Sequence, residues 1–490
     1  MNGKIGKREV VMIRRKKVLS GVMSLVVTAV CIGCSCTPQK KIIIKWVVPG
    51  ERISGFDSIE RKINEITEER LGIGVEFDFV QQDHGYGNRI NAKIDAGENF
   101  DLCFTGWLDS YEARVYDDRL MALDALLEYT PKLMAELPDY LWENAKVKGK
   151  IYAVPNQQIS AISTALVFNK KLVDKYGFDL STVHTSEDIE PFLETIKNNE
   201  PDIFPYRTNW GYGGIITADD GEYYYDLTLE TMRVVYEDGE LSVKKMTECR
   251  HTLNAARKLH EWYEKGYVRK DVAVSIDSVE DLTEGKYGVW LETYKPGIVR
   301  QRKLLTGNDV YAVQIGKPFM TTGTGNGAMT GINANSEHPL ESIKLLELVN
   351  TEPDILNLLT YGIEGKNYIK KSDNVAKRTD KVFSNSTWVF GNQFIIYTDS
   401  EDDENVWEET KRINNSARKS PLMGFRPDTS QIQTELAGCK EILGKYKVVS
   451  NGTIDPDTYW QDFDRDLDEA GAEKIKRVLE EQISKFLSEK

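Results

Sequence analysis

The strongest constraint on the fold is an alternation of strand and helix signals that begins at Ile42. Ile42-Ile43-Ile44-Lys45-Trp46-Val47-Val48 is a β-branched run ended by Pro49-Gly50, and Phe56 to Leu71 repeats apolar residues at helical spacing before Gly72. Gly74 to Val80 then alternates apolar and polar residues, Arg89 to Ala96 reads as helix, and Phe100 to Thr105 returns to strand. A βαβαβ start predicts a mostly parallel sheet with helices on both faces, whose ligands sit beyond the carboxyl ends of the strands. The loops at Pro49, Gln81 and Trp107 therefore share one rim.

The chain has 490 residues, 40% hydrophobic and 29% charged, enough for two or three cores. Its net charge of −14 repels nucleic acid, and no basic stripe offsets it. Ahead of Ile42, Arg14, Arg15, Lys16 and Lys17 precede a Val18 to Ile32 run that is too short and too interrupted by Ser, Gly and Thr for a membrane span. That order is an export signal, with Met12 as the natural start of the reading unit. Gly33-Cys34 resembles the lipobox of bacterial lipoproteins, in which the cysteine is acylated and becomes the new N terminus; Cys31 stands where Leu is usual, and Cys36 is a second candidate. The resemblance implies a signal peptide over residues 1–33, a palmitate-type lipid at Cys34, a tether over 34–41 and a body on the extracytoplasmic face of the cell membrane. Loss of residues 1–33 removes seven basic residues and one acidic, which makes the body more acidic still.

Outside the leader, Cys103, Cys249 and Cys439 are far apart, without CxxC or histidines at zinc spacing, so no metal and no disulfide set is expected. Cys103 reads as a small buried hydrophobe. Gly323-Thr324-Gly325-Asn326-Gly327-Ala328 contains GxGxxA, but a strand follows it where dinucleotide binding needs a helix, so it reads as a ligand-facing loop and no cofactor is expected. Asp462 to Asp466 with Glu473 has the outer spacing of a calcium loop, yet Leu467 occupies the turn glycine's position, and the stretch reads as acidic helix. Asp399 to Glu404 reads as a solvated acidic loop, which leaves weak calcium binding open.

Five ordered landmarks carry a family resemblance: Ala96 to Leu102 (AGENFDL), Gly149 to Pro155 (GKIYAVP), Val167 to Leu172 (VFNKKL), Glu284 to Trp290 (EGKYGVW) and Gly331 to Ser336 (GINANS). In order and spacing they resemble the extracellular solute-binding proteins of bacterial ABC importers. Tyr361 to Tyr368 (YGIEGKNY), Pro421 to Phe425 (PLMGF), Asp455-Pro456-Asp457, Ala470-Gly471 and Gln482 resemble a lipoprotein subgroup that ends in an uncharacterised helical module. What this implies is an α/β two-lobed clamp with a multi-strand hinge plus a mostly helical C-terminal module. Lobe one would span residues 42–154, with about 309–335 returning to it. Lobe two would span 155–308, with about 339–400 returning to it, and the module would occupy 401–490. The resemblance also implies a permease partner, a monomeric receptor and no catalysis.

Candidate ligand contacts are aromatics near predicted loops, since a pyranose stacks its C–H face on a ring while its hydroxyls seek amides and carboxylates. Trp46, Trp107, Tyr152, Trp210, Trp290, Tyr294 and Trp388 supply rings; Gln81, Asp83, Asn156, Gln158, Glu292 and Asn326 supply polar groups. The set expected to bind ligand is Trp107, Tyr152, Asn156, Gln158, Trp210, Glu292, Tyr294, Asn326 and Trp388, with Trp107 foremost because it follows a strand end between Gly106 and Asp109. Trp142 and Trp262 sit at helical spacing among apolar neighbours and are assigned to core. A peptide or amino-acid ligand would call for a cation at these landmarks; Arg207 near Trp210 is the exception and otherwise reads as a solvated loop charge. Carbohydrate is therefore the expected cargo, with a peptide or amino acid as the alternative. A secreted glycosidase acting through two carboxylates is the remaining enzyme reading.

Overall fold

The computed structural model describes residues 41–83, 85–208, 224–229, 231–237, 240–274, 279–379 and 387–490. The export segment, with Cys34 and Cys36, lies outside the described residues.

The expected βαβαβ start is present as β1 (Ile42–Pro49), α1 (Phe56–Leu71), β2 (Ile73–Val80), α2 (Tyr86–Asp95) and β3 (Leu102–Gly106). β1 pairs in parallel with β2 from Ile42 opposite Ile73 to Pro49 opposite Val80, and with β3 on its other side. Strand Ala328–Ile332 then pairs antiparallel with β3, and Ala153–Pro155 closes the five-stranded sheet. Leu102, Cys103 and Phe104 are fully buried, as a central strand covered on both faces requires. α1 packs Phe56, Ile59 and Ile63 on the sheet and stops at Gly72, whose left-handed φ of 72° turns its N–H onto the Glu68 carbonyl.

A second five-stranded sheet runs in the order Arg418–Lys419, Val310–Met320, Ile162–Asn169, Tyr287–Thr293, Phe204–Arg207. One of its faces buries Leu166, Phe168, Phe192, Leu259 and Trp262 in a core of its own, and Trp142 is buried in the first core, so both tryptophans assigned to core are there. A third core joins strands Met232–Glu237 and Glu240–Lys245 to helices Gln433–Lys445, Pro456–Glu469 and Ala472–Glu489, through Val234, Val243, Phe463, Leu467 and Leu479. Asp455 caps Pro456–Glu469 by accepting from the Asp457 N–H (3.0 Å), and the Gln482 amide exchanges two hydrogen bonds with the Asp428 backbone (2.7 and 2.9 Å).

The chain crosses between the sheets later than expected. Residues 310–320 do not return to the first sheet; they pair with Ile162–Asn169, Val310 opposite Asn169 and Ile315 opposite Thr164, because that register buries Val310 and Ile315 in the second lobe. The crossing falls at 321–327. Residues 339–400 were expected in lobe two, but helix Pro339–Thr351 turns Ile343, Leu346 and Val349 into the first core, and Ile355, Leu359, Val389 and Phe390 join them there.

Of the two acidic stretches, one is the expected helix and the other differs from expectation. Asp464 and Asp468 pair with Lys245 (2.9 and 2.7 Å), so the calcium-like string is a helix whose carboxylates are engaged by a lysine. Asp399 is not a solvated loop residue: it is buried between Arg300 (3.3 Å) and Arg378 (3.1 Å), two cations that make its burial tolerable. Asp402 beside it is pushed up to about 7 by burial and by the Asp399 charge.

Candidate functional site

The carboxyl ends of β1, β2 and β3 form one rim, and β3 delivers Trp107 to it. Gly106 has φ 144°, and a Cβ there would lie 2.3 Å from the Gly327 carbonyl oxygen. That close approach lets the Trp107 N–H donate to Gly327 (2.9 Å), which ties the loop to the start of strand Ala328–Ile332. Asp109 completes the turn. One carboxylate oxygen accepts from the Gly106 N–H (3.0 Å) and the Thr105 hydroxyl (2.9 Å), and the other pairs with Arg114 at 2.6 Å. Both ions of the pair are at most 3% exposed. Burial pushes the Asp109 carboxyl up, opposed by Arg114 and the two loop donors. Arg114 also donates to Cys103 (3.3 Å), whose thiol burial raises to about 11, consistent with an inert core cysteine.

Held this way, Trp107 is 57% exposed, an unusual state for the largest apolar side chain. Its ring lies 5.8 Å from that of Trp388, which rests edge-on against Phe104. Asn156 is buried and donates its side-chain amide to the Trp388 carbonyl (3.0 Å), while its backbone N–H meets Ala328 (2.9 Å). Asn326 is buried at the same corner and donates to the Asn144 carbonyl. Four of the nominated residues, Trp107, Trp388, Asn156 and Asn326, thus meet on one rim. Two are aromatic rings, Asn156 holds the Trp388 backbone and Asn326 the Asn144 backbone. Tyr152 lies below, half-buried on the first core, with its N–H on the Tyr111 hydroxyl (3.1 Å).

Glu292 and Tyr294 stand at the end of strand Tyr287–Thr293 in the second lobe. Glu292 accepts from the Trp290 indole (3.1 Å) and from Arg302 (2.9 Å), so its charge is already matched. Tyr294 packs between two clusters that include Trp290 and Tyr140, and burial pushes its phenol up. Trp46 and Trp290 point into cores, because each sits on the inward face of a covered strand. Arg207 is buried, its guanidinium 5.8 Å from the Tyr287 ring, instead of a solvated loop charge. Trp210 lies outside the described residues.

Gln158 belongs to the connection between the sheets, where sequence reasoning missed the organising residue. Asn414 is buried, accepts from the Ser160 (2.8 Å) and Ala161 (3.2 Å) N–H groups and donates to the Gln158 carbonyl (2.8 Å). A second tie runs from the Gln393 N–H to the Gln157 carbonyl (2.8 Å), and a third from the Ser420 N–H to Met320 (2.9 Å). The only sequence signal for Asn414 was an amide in an otherwise amphipathic helix, which is common on any surface.

Two α/β sheets joined by several crossing segments, with an aromatic rim beside the joint, form a two-lobed clamp of the kind solute-binding proteins have. Comparisons agree. A carbohydrate ABC transporter substrate-binding protein of Streptococcus pneumoniae is 29% identical over 469 residues, covering 92% of each chain. The crystal structure of the N-glycan transport solute-binding protein NgtS of Streptococcus pneumoniae matches with TM-score 0.83 at 28% identity, covering 91% of this chain and 99% of that one. Its complex with Man5GlcNAc matches with TM-score 0.76 at 27% identity, covering 92% and 99%. Residues 421–488 match a family model described as a domain of unknown function, DUF3502. Over nine-tenths of its length the chain is thus similar to solute-binding proteins of ABC importers, which bind and do not transform their cargo.

Proposed function

We propose that this protein captures an oligosaccharide between its lobes and delivers it to a membrane permease. The observation that carries the reading is the Trp107 and Trp388 pair, two adjoining rings on a rim, one of them mostly exposed. A pair of rings at this spacing offers flat apolar faces to consecutive pyranose units, while surrounding amides and carboxylates meet their hydroxyls. The likeness to a protein crystallised with Man5GlcNAc supports the same cargo class. Contacts from both lobes to one ligand would favour the closed state, which is the signal a permease reads. A dissociation constant of about 1 μM, about 8 kcal/mol, suits capture followed by release.

The protein is held at the extracytoplasmic membrane face by lipid on Cys34, with Cys36 as the other candidate. The export signal and the glycine-cysteine pair support this part of the reading, and no described helix is long and apolar enough to cross a membrane.

Calorimetric titration with Man5GlcNAc and shorter mannose-containing oligosaccharides, followed by product analysis, tests the cargo. Saturable binding with the sugar recovered intact is expected. An amino-acid or peptide ligand overturns the cargo, and sugar consumption overturns the receptor. Mass spectrometry of the N-terminal peptide should show an acylated cysteine that Cys34→Ala abolishes.

A further inference from the structure

Arg426 lies inside the segment matched as a domain of unknown function, yet its side chain, about one-tenth exposed, reaches into lobe one. Its guanidinium pairs with Glu112, donates to the carbonyls of Asn144 and Lys146 (the latter at 3.3 Å), and stands 5.3 Å from the Tyr111 ring centre. Tyr111 and Glu112 open helix α3 (Tyr111–Tyr116), which begins four residues after Trp107 and is capped by Ser110. The next turn of α3 carries Arg114, the partner of the Asp109 that shapes the Trp107 loop. Behind Arg426, Leu422 and Phe425 are anchored in the core that the module shares with Val234 and Val243 of lobe two. Beside this bridge the module and lobe one stand apart across a groove of about 900 Å³, lined by Tyr116, Tyr140, Lys148 and Phe486 among others. Burial lowers the Arg426 pKa to about 10, which leaves it charged at neutral pH.

We propose that Arg426 is a positioning residue through which the C-terminal module holds the Trp107 loop, so that the module takes part in ligand binding without touching the ligand. The bridge ties the first turn of α3 to a body rooted in lobe two, and Arg114, Asp109 and Gly106 carry that restraint to Trp107. The affinity arm of the test rests on the oligosaccharide reading; the spectroscopic arm does not.

The whole chain, labelled with 5-fluorotryptophan, is followed by fluorine NMR without ligand, the Trp107 resonance being assigned with Trp107→Phe. Arg426→Ala and Glu112→Gln should both move or broaden that resonance, and Arg426→Lys should restore part of it. Glu112 is one-third exposed, so Glu112→Gln keeps the test informative where Arg426→Ala unfolds the chain. Arg426→Ala should also weaken Man5GlcNAc binding by about tenfold, and less than that when Trp107→Ala is already present, as coupled residues do. An unmoved Trp107 resonance in both variants, or full additivity with Trp107→Ala, overturns the proposal. If the wild-type chain takes no oligosaccharide, the cargo reading fails and the resonance alone decides the role of Arg426.

Discussion

The rim of lobe one and the strand end of lobe two carry similar residue types in opposite states. On lobe one, polar groups are committed to backbone: Asn156 holds the Trp388 carbonyl and Asp109 holds the Gly106 turn, which leaves the Trp107 face to solvent. On lobe two, Trp290 is buried, its indole donates to Glu292, and Arg302 matches the remaining carboxylate oxygen. The lesson is that an aromatic beside a carboxylate is not by itself a binding group. Both carboxylates are matched by an arginine, so what distinguishes the two places is the ring: Trp107 faces solvent and Trp290 is buried.

Breaking the support of the Trp107 loop should have the largest effect. Arg114→Ala leaves Asp109 as an unmatched buried charge and should cost about 3–5 kcal/mol of stability, read as a lower urea midpoint. Asn414→Ala strands the Ser160 and Ala161 N–H groups at the joint and should cost about 2–3 kcal/mol by the same measurement. Trp107→Ala should leave the melting temperature nearly unchanged, since the ring is mostly exposed, while weakening oligosaccharide binding by about 1–3 kcal/mol in calorimetry. Unchanged affinity would remove the contrast between the lobes.

Smaller effects sharpen the comparison from the side of lobe two. Burial alone would raise Glu190, but donors on Lys265, Trp262 and Lys258 outweigh it and hold the carboxyl at about 2. A folded pKa below the unfolded one adds stability that is present above about 4.5 and lost as pH falls toward about 2. Glu190→Gln should therefore lower stability at neutral pH and flatten its decline in acid, as followed by urea melts across that range. Glu292→Gln should change oligosaccharide affinity by less than about 0.5 kcal/mol, because Arg302 and Trp290 already occupy the carboxylate. A loss as large as that of Trp107→Ala would make Glu292 a ligand contact.

The opening strands and helices were legible because local periodicity and the glycine after Leu71 act within a few residues of chain. Trp107 was legible for a related reason, since a tryptophan following a strand between Gly106 and Asp109 is placed on a loop by its neighbours. The same argument could not separate Trp107 from Trp46 or Trp290, whose burial depends on which face of a sheet becomes covered. Nor could it find Arg426, which meets Glu112 across more than three hundred residues of sequence, or Asn414, whose partners Gln158, Ser160 and Ala161 lie about two hundred and fifty residues earlier in the chain.

By itself the sequence determined the strand and helix alternation, the acidic surface and, through its ordered landmarks, the likeness to solute-binding proteins. Tertiary structure alone decided where the chain crosses between sheets, which aromatics face solvent, and how Asp399 survives burial between Arg300 and Arg378. The reason is physical. Backbone preferences are set by near neighbours, whereas desolvation and charge matching are set by whatever the fold brings within a few ångströms.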